Sequence, residues 1–219
     1  MSLDKSIKQQ YFKRSNKSNL YGNSIYNKYV TAGIKKGINY YLNKYFSEPN
    51  NVKLLEIGAG NGTNAYMFTE AGLLLKNISF NELLPERIEQ IKINFPENIL
   101  YEGDILNTSI TEKFDVIFQS TVFTSILDSS ARKNIVNYLH SLLKPGGIIL
   151  WYDFIYNNPS NKDVKKVSIK ELKQLSSFFA SIEIKKITLA PPIGRRVGYL
   201  YKMFNVPFFR SHILAVIKK

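Results

Sequence analysis

Three glycines spaced two apart, Gly58, Gly60 and Gly62, limit what this chain can fold into more than any other feature. They follow an apolar run from Val52 to Ile57, broken only by Lys53 and Glu56, and a helical pattern begins directly after them. The stretch reads as a strand, a tight turn and a helix start. Glycine suits such a turn because a ligand can approach a backbone that carries no Cβ, while free N–H groups at the helix start face it. Many nucleotide-binding folds share a loop of this kind, and an ordinary strand-to-helix turn would show it too.

The acidic residues that follow narrow the choice. Glu82 lies 20 residues beyond Gly62, just past the apolar Ile78 to Phe80. A carboxylate at the end of a second strand can accept both hydroxyls of a ribose. Gly103-Asp104-Ile105 follows Ile99 to Tyr101 and sets a second acid at the end of a third strand, where it suits an adenine amino group. No P-loop lysine follows the glycines and no arginine cluster stands beside them, so the ligand reads as a nucleoside without phosphates.

Strand and helix patterns alternate through the middle of the chain. Thr63 to Gly72 is the first core helix, Ile78 to Asn81 the second strand, and Pro85 opens a helix that runs to about Phe95, where its missing N–H costs nothing. Ile99 to Tyr101 is strand three and Phe114 to Gln119 a buried strand four. A helix from Asp128 to Leu143 stops at Pro145-Gly146-Gly147, and Ile148 to Tyr152 is strand five. Ser168 starts a short helix to about Phe179 through a capping box. Ile182, Ile184 and Ile187 form a sixth strand, and His212 to Ile217 a last strand that runs antiparallel. The fold class is α/β, a doubly wound, seven-stranded, mostly parallel sheet of Rossmann-like form. Residues 1–50 are expected to make an N-terminal arm and helix, and residues 51–219 a single ligand-binding domain. Met1 to Asn23 reads as a loosely packed arm, and Ser24 begins an amphipathic helix that ends before Pro49. Tyr11, Tyr21, Tyr26 and Tyr29 either line the pocket or pack.

The segments LLEIGAGNG, NELLPERI, EGDILN, FDVIFQSTVF and LLKPGGIILWYDF, in that order over about Lys53 to Phe154, resemble the class I S-adenosylmethionine-dependent methyltransferases. YNNPSN, ITLAPPIGRR and FFRSHILAVIKK extend the likeness to methyltransferases of bacterial surface-polysaccharide gene clusters. The resemblance implies S-adenosylmethionine as cofactor, with S-adenosylhomocysteine as product. It implies contacts from Glu56, Gly58, Gly60, Gly62, Glu82, Leu83, Gly103, Asp104, Ile105, Gln119 and Ser120. The acceptor it implies is a sugar or sugar phosphate, with Asn157, Arg195 and Arg196 as acceptor-binding candidates and Tyr152 beside the reacting atoms. Ala190 to Arg210, too long for a hairpin turn, falls over the acceptor site in that family.

Charge is uneven: +7 over residues 1–50, −3 over 51–150 and +9 over 151–219. Basic flanks favour an anionic acceptor, or keep an RNA methyltransferase as the alternative. Against RNA stands Gln119-Ser120-Thr121 at the end of strand four, where many nucleic-acid amino methyltransferases carry Asn/Asp-Pro-Pro-Tyr. The absence of cysteine excludes disulfides, thiolate metal sites and a cysteine nucleophile. No paired acids suggest a metal, so metal independence is expected. No membrane span or signal peptide is evident, which makes a cytoplasmic protein the expectation. For a hydroxyl acceptor, His212 starts the last strand beside Tyr152 and Asp153, and Asp153 is expected to orient it as general base. The plainer alternative is a His212 that only hydrogen-bonds to backbone. An anionic acceptor would need no base, and Arg195 and Arg196 would hold it.

Overall fold

Near-continuous apolar runs produce strands buried on both faces in the middle of the sheet, while the strands at its two edges are partly exposed. They are β1 (Leu54–Ile57), β2 (Ile78–Glu82), β3 (Leu100–Glu102), β4 (Phe114–Ser120), β5 (Leu143–Phe154), β6 (Ser181–Leu189) and β7 (Arg210–Lys218). In the computed structural model, which describes residues 24–157 and 161–219, these form one sheet in the order β3-β2-β1-β4-β5-β7-β6. The pairs from β3 through β5 are parallel, and β7 is antiparallel to both β5 and β6. The expected arm at Met1 to Asn23, with Tyr11 and Tyr21, lies outside the described residues.

The helices are α1 (Ile25–Tyr45), α2 (Ala65–Glu70), α3 (Pro85–Asn94), α4 (Ser129–Leu142), α5 (Ile169–Leu175), α6 (Pro191–Val197) and α7 (Tyr201–Phe204). α1 begins where its sequence predicts, because the Ser24 hydroxyl accepts the Asn27 N–H at 3.2 Å. Its stripe of Ile34, Ile38, Tyr41 and Leu42 is buried in a cluster with Phe68 of α2, Ile91 of α3 and the strand residues Leu54, Val116, Leu150 and Leu214. The opposite face of the sheet, with Leu55, Ile117, Trp151 and Ile213, packs on Ile135 and Leu139 of α4 and Leu172 of α5. Each fully buried aliphatic side chain contributes about 1.5–3 kcal/mol. None of the described helices is long and apolar enough to cross a membrane.

Three expectations change in detail. The first core helix is shorter than Thr63 to Gly72, because residues 58–64 stay in the ligand loop. Pro145-Gly146-Gly147 does not follow a helix into a loop but lies inside β5, where a register shift against β4 absorbs it. Ala190 to Arg210 is not an irregular insertion either. It holds α6 and α7 and docks on the start of α1: Tyr26 fits where a Gly194 Cβ would stand 2.3 Å from its ring and donates to the Leu189 carbonyl. The Tyr201 hydroxyl accepts the Leu189 N–H at 3.1 Å, and its ring stacks on Tyr29 at 4.8 Å. Tyr26 and Tyr29 therefore pack.

Candidate functional site

The ligand loop leaves β1 with all three glycines at positive φ, at 57°, 63° and 78°. They do different work. A Cβ on Gly62 would stand 2.6 Å from Phe95, so that position holds α2 against the core. A Cβ on Gly60 would meet only the Arg87 guanidinium, at 3.9 Å, so Gly60 borders open space. Glu82, at the end of the neighbouring strand, ties the loop down. Its Oε2 accepts the Gly60 N–H at 2.7 Å, while Oε1 accepts those of Leu83 and Leu84 at 2.8 and 3.0 Å.

Two adjoining hollows at the carboxyl edge of the parallel strands share Gly58, Arg87 and Ser125 and form one cleft. One half is lined by Glu82, Leu83, Gly103, Asp104 and Ile105, all anticipated, together with apolar Ile57, Val122 and Ile126. Asp104 uses Oδ1 to accept the Leu106 N–H, and Oδ2 takes no described hydrogen bond. Asn81 pins the turn after β3 by donating to the carbonyls of Tyr101 and Gly103. An apolar-lined hollow that carries two acids, Glu82 and Asp104, suits an adenosine.

Glu56 lies behind the loop, fully buried. Its Oε1 accepts from Asn64 Nδ2 at 2.6 Å and its Oε2 has no partner. Burial pushes its carboxyl up to about 8, with Asn64 opposing and Glu82 adding a smaller rise. Glu56 lines neither hollow, so a cation arriving in the cleft would favour its ionised form through the electrostatic field.

The second half of the cleft is lined by the loop residues Asn61, Thr63 and Asn64 and by Ser120, Thr121, Thr124, Phe154, Val164 and His212. Thr121, which follows β4, holds φ at 58°, a conformation costly for a β-branched residue. Its N–H donates to the Tyr152 carbonyl and its hydroxyl to the Ser120 carbonyl.

Here the expected catalytic pair separates. His212 faces Phe154 across the β5–β7 ladder, while Asp153 faces Ile213. Successive side chains alternate between sheet faces, so Asp153 and His212 point to opposite sides. The His212 ring stacks on Tyr152 at 5.5 Å and its Nδ1 meets the Ser211 hydroxyl at 2.9 Å. Burial lowers its pKa to about 4, which keeps the imidazole neutral. Asp153, fully buried, accepts N–H groups from Thr124 at 3.3 Å and Phe154 at 3.0 Å, and burial raises it to about 7. It supports the Thr121–Ser125 turn from beneath and does not orient His212.

Five other candidates fall away from the cleft. The buried Tyr152 hydroxyl pairs with Thr188 at 3.0 Å. Gln119 is fully buried and clamps the turn after β4, donating to the Tyr152 carbonyl and accepting from Val122 N–H. Asn157 accepts the Lys166 N–H. Arg195 and Arg196 are exposed at the end of α6, Arg195 lying 6.0 Å over the Tyr26 ring, and no residue from Ala190 to Arg210 lines the cleft.

Sequence reasoning missed two arginines. Arg87 opens onto both halves of the cleft, in a chain read as having no arginine cluster near the glycines; its only signal was its place in the first turn of α3. Arg132, fully buried in α4, donates to the carbonyls of Phe123, Ile126, Lys165 and Lys166 and pairs with Glu171 at 2.6 Å. It fastens the turn at Phe123–Ser125 to the segment that brings Val164 to the cleft.

A family model described as a methyltransferase domain matches residues 26–188. A malonyl-[acyl-carrier protein] O-methyltransferase of Calditerrivibrio nitroreducens is 31% identical over 124 residues, 56% of this chain and 46% of that protein. A second enzyme of that name, from Ilyobacter polytropus, is 32% identical over 142 residues, 61% of this chain and 52% of that protein. The chain thus spans about half the length of these curated relatives. Among solved structures, the magnesium protoporphyrin IX methyltransferase of Synechocystis with bound S-adenosylmethionine superposes with a TM-score of 0.63 at 11% identity, covering 100% of this chain and 98% of that one.

Proposed function

The chain belongs to the S-adenosylmethionine-dependent methyltransferase family, and we propose that it transfers the methyl group to an oxygen of a small polar acceptor, a sugar-type hydroxyl of the kind found in surface-glycan precursors. The residues of the cleft fit the donor. Asp104 and Glu82 suit its adenosine, Gly60 lets it approach the backbone, and the unpartnered Glu56 Oε2 suits a nearby cation. When bound, the sulfonium supplies an activated methyl group, and the protein's task is alignment and exclusion of water.

The observation that carries the acceptor reading is the chemistry of the cleft's second half. Ser120, Thr121 and Thr124 line it with hydroxyl-bearing side chains, and His212, which burial keeps unprotonated, is the imidazole that borders it. A hydroxyl acceptor must lose its proton, and a positioned base contributes about a hundred- to ten-thousand-fold. Asp153 stays outside this step. A second reading, methylation of a carboxylate, is favoured by the two relatives, whose names are those of O-methyltransferases of malonyl-acyl-carrier protein. That acceptor is already anionic and needs no base.

The test is to offer labelled donor to activated sugars, sugar phosphates and malonyl thioesters, and to follow product stability in base. The hydroxyl reading predicts an alkali-stable methyl ether and a turnover about a hundredfold lower in His212→Ala. An alkali-labile methyl ester with His212→Ala near wild-type turnover would replace it with the carboxylate reading.

A further inference from the structure

From Ile184 to Lys219 the chain carries eight Lys or Arg and no Asp or Glu. The same stretch exposes its largest apolar side chains: Tyr199 is 83% exposed, Met203 73% and Phe208 85%, with Leu200 and Val206 also open to solvent. These five fall within residues 199–208, between α6 and β7. Singly exposed apolar residues are ordinary, but a cluster of this density rimmed by polar groups marks an interaction surface. The segment is firmly docked: Tyr201 is buried beneath it and held by Leu189 and Tyr29. The outward apolar side chains are therefore the exposed side of an anchored element.

Cations border the cluster on two sides. Arg195, Arg196 and Lys202 are exposed within the insertion itself. Towards α1 runs a groove lined by Lys36, Tyr40, Lys185, Lys186, Pro207 and Arg210. Glu183 stands at its margin, and Lys44 at 2.6 Å and Lys185 at 3.0 Å already engage that carboxylate.

We infer that this face docks on an anionic lipid surface, with Tyr199, Met203 and Phe208 entering the headgroup and acyl boundary and the surrounding cations meeting lipid phosphates. Interfacial binding requires this pairing of apolar area with positive charge. Aromatic side chains such as Tyr199 and Phe208 suit the interface. A second copy of the chain would bring two positive faces together, which like-charge repulsion opposes. β6 ends at Leu189 and β7 begins at Arg210, at the same sheet edge as the carboxyl ends of the parallel strands. The inference stands whichever acceptor is methylated.

The experiment is flotation of the full chain with phosphatidylcholine vesicles and with vesicles containing about 30% phosphatidylglycerol, at about 0.1 and 0.5 M salt. The triple variant Tyr199→Ser, Met203→Ser, Phe208→Ser and the charge variant Arg195→Glu, Arg196→Glu, Lys202→Glu are run beside it. Thermal melts and donor binding check that each variant is folded. The expected result is binding to anionic vesicles at least tenfold above neutral ones, weakened by salt, and reduced tenfold or more in either variant. Equal or absent binding of wild type to the two vesicle types overturns the inference. So does an apolar variant that binds like wild type. A concentration-dependent dimer in light scattering, abolished in the apolar variant while vesicles are ignored, would assign the face to self-association; capture by an acidic protein with no vesicle binding would assign it to that partner. Should a variant misfold, the wild-type comparison between vesicle types decides alone.

Discussion

Replacing Glu82 with Gln tests how the ligand loop is held. In the native chain one carboxylate oxygen accepts from Gly60 at 2.7 Å and the other from Leu83 and Leu84. A Gln side chain keeps a carbonyl oxygen for Leu83 and Leu84 and turns its NH2 towards the Gly60 N–H, two donors face to face. One charge-assisted hydrogen bond is lost at the loop, on the order of 1.5–3 kcal/mol. Donor affinity should fall by about 10- to 150-fold. Calorimetric titration of S-adenosylhomocysteine into wild type, Glu82→Gln and Glu82→Ala measures this, with thermal melts alongside. Glu82→Ala frees all three N–H groups and should melt below Glu82→Gln. A product analogue lacking the ribose hydroxyls separates the loop from the ribose contact, because the penalty carried by the loop persists with it. Glu82→Gln binding within threefold of wild type, in a folded protein, would refute the reasoning.

Gly60→Val should abolish donor binding while lowering stability by only about 1–3 kcal/mol for the positive φ; Gly62→Ala, whose Cβ meets Phe95 at 2.6 Å, should instead lower the melting temperature more. Calorimetry and melts of the two variants distinguish a ligand-facing glycine from a packing one. Stability should fall as pH rises from about 5 to 8: the native state keeps protons on Asp153, held up to about 7, and Glu56, up to about 8, that the unfolded chain has already released. The sign for His212 is opposite, since its native pKa of about 4 makes the unfolded state the better proton binder between about 4 and 6.5. One acid's slope is thus offset below pH 6.5, and His140, also lowered by burial, acts in the same direction as His212, leaving a net loss of at most about 1.4 kcal/mol per pH unit there. Urea unfolding against pH should show this, and Glu56→Gln should flatten it; stability rising towards pH 8 would contradict it. Finally, Asp153→Asn and His212→Ala should act additively on turnover, because the two side chains occupy opposite sheet faces; a double variant no worse than either single one would restore the pair.

That Glu82, Leu83, Gly103, Asp104 and Ile105 would share one hollow was legible in the sequence, because local rules determine it. A strand end, a glycine turn and an acid after the next strand occupy one edge of a parallel sheet whatever the remote packing does. The half of the cleft that carries His212 depends on register, which no local pattern reports. His212 and Asp153 do reach the same edge, as their strand positions imply, but the pairing of Phe154 with His212 sends them to opposite faces. Arg132 lies in a helix whose pattern gives it no special place. Its burial arises from carbonyls at Lys165 and Lys166, more than thirty positions away. Gln119, expected to meet the donor, is turned inward by the tight Thr121 corner that follows it. Arg195 and Arg196 have charge suited to an anion, yet Gly194 packing against Tyr26 fixes α6 away from the cleft.

The central claim is transfer of a donor methyl group to an acceptor oxygen in the cleft bounded by the glycine loop and His212. Its most direct measurement is carbon NMR of the product formed from donor labelled with carbon-13 in the methyl group, offered together with activated sugars, sugar phosphates, malonyl thioesters and RNA. The account predicts a single new signal in the O-methyl region, absent with Gly60→Val. A signal in the N-methyl region, or label recovered in RNA with none in the small acceptors, would contradict it.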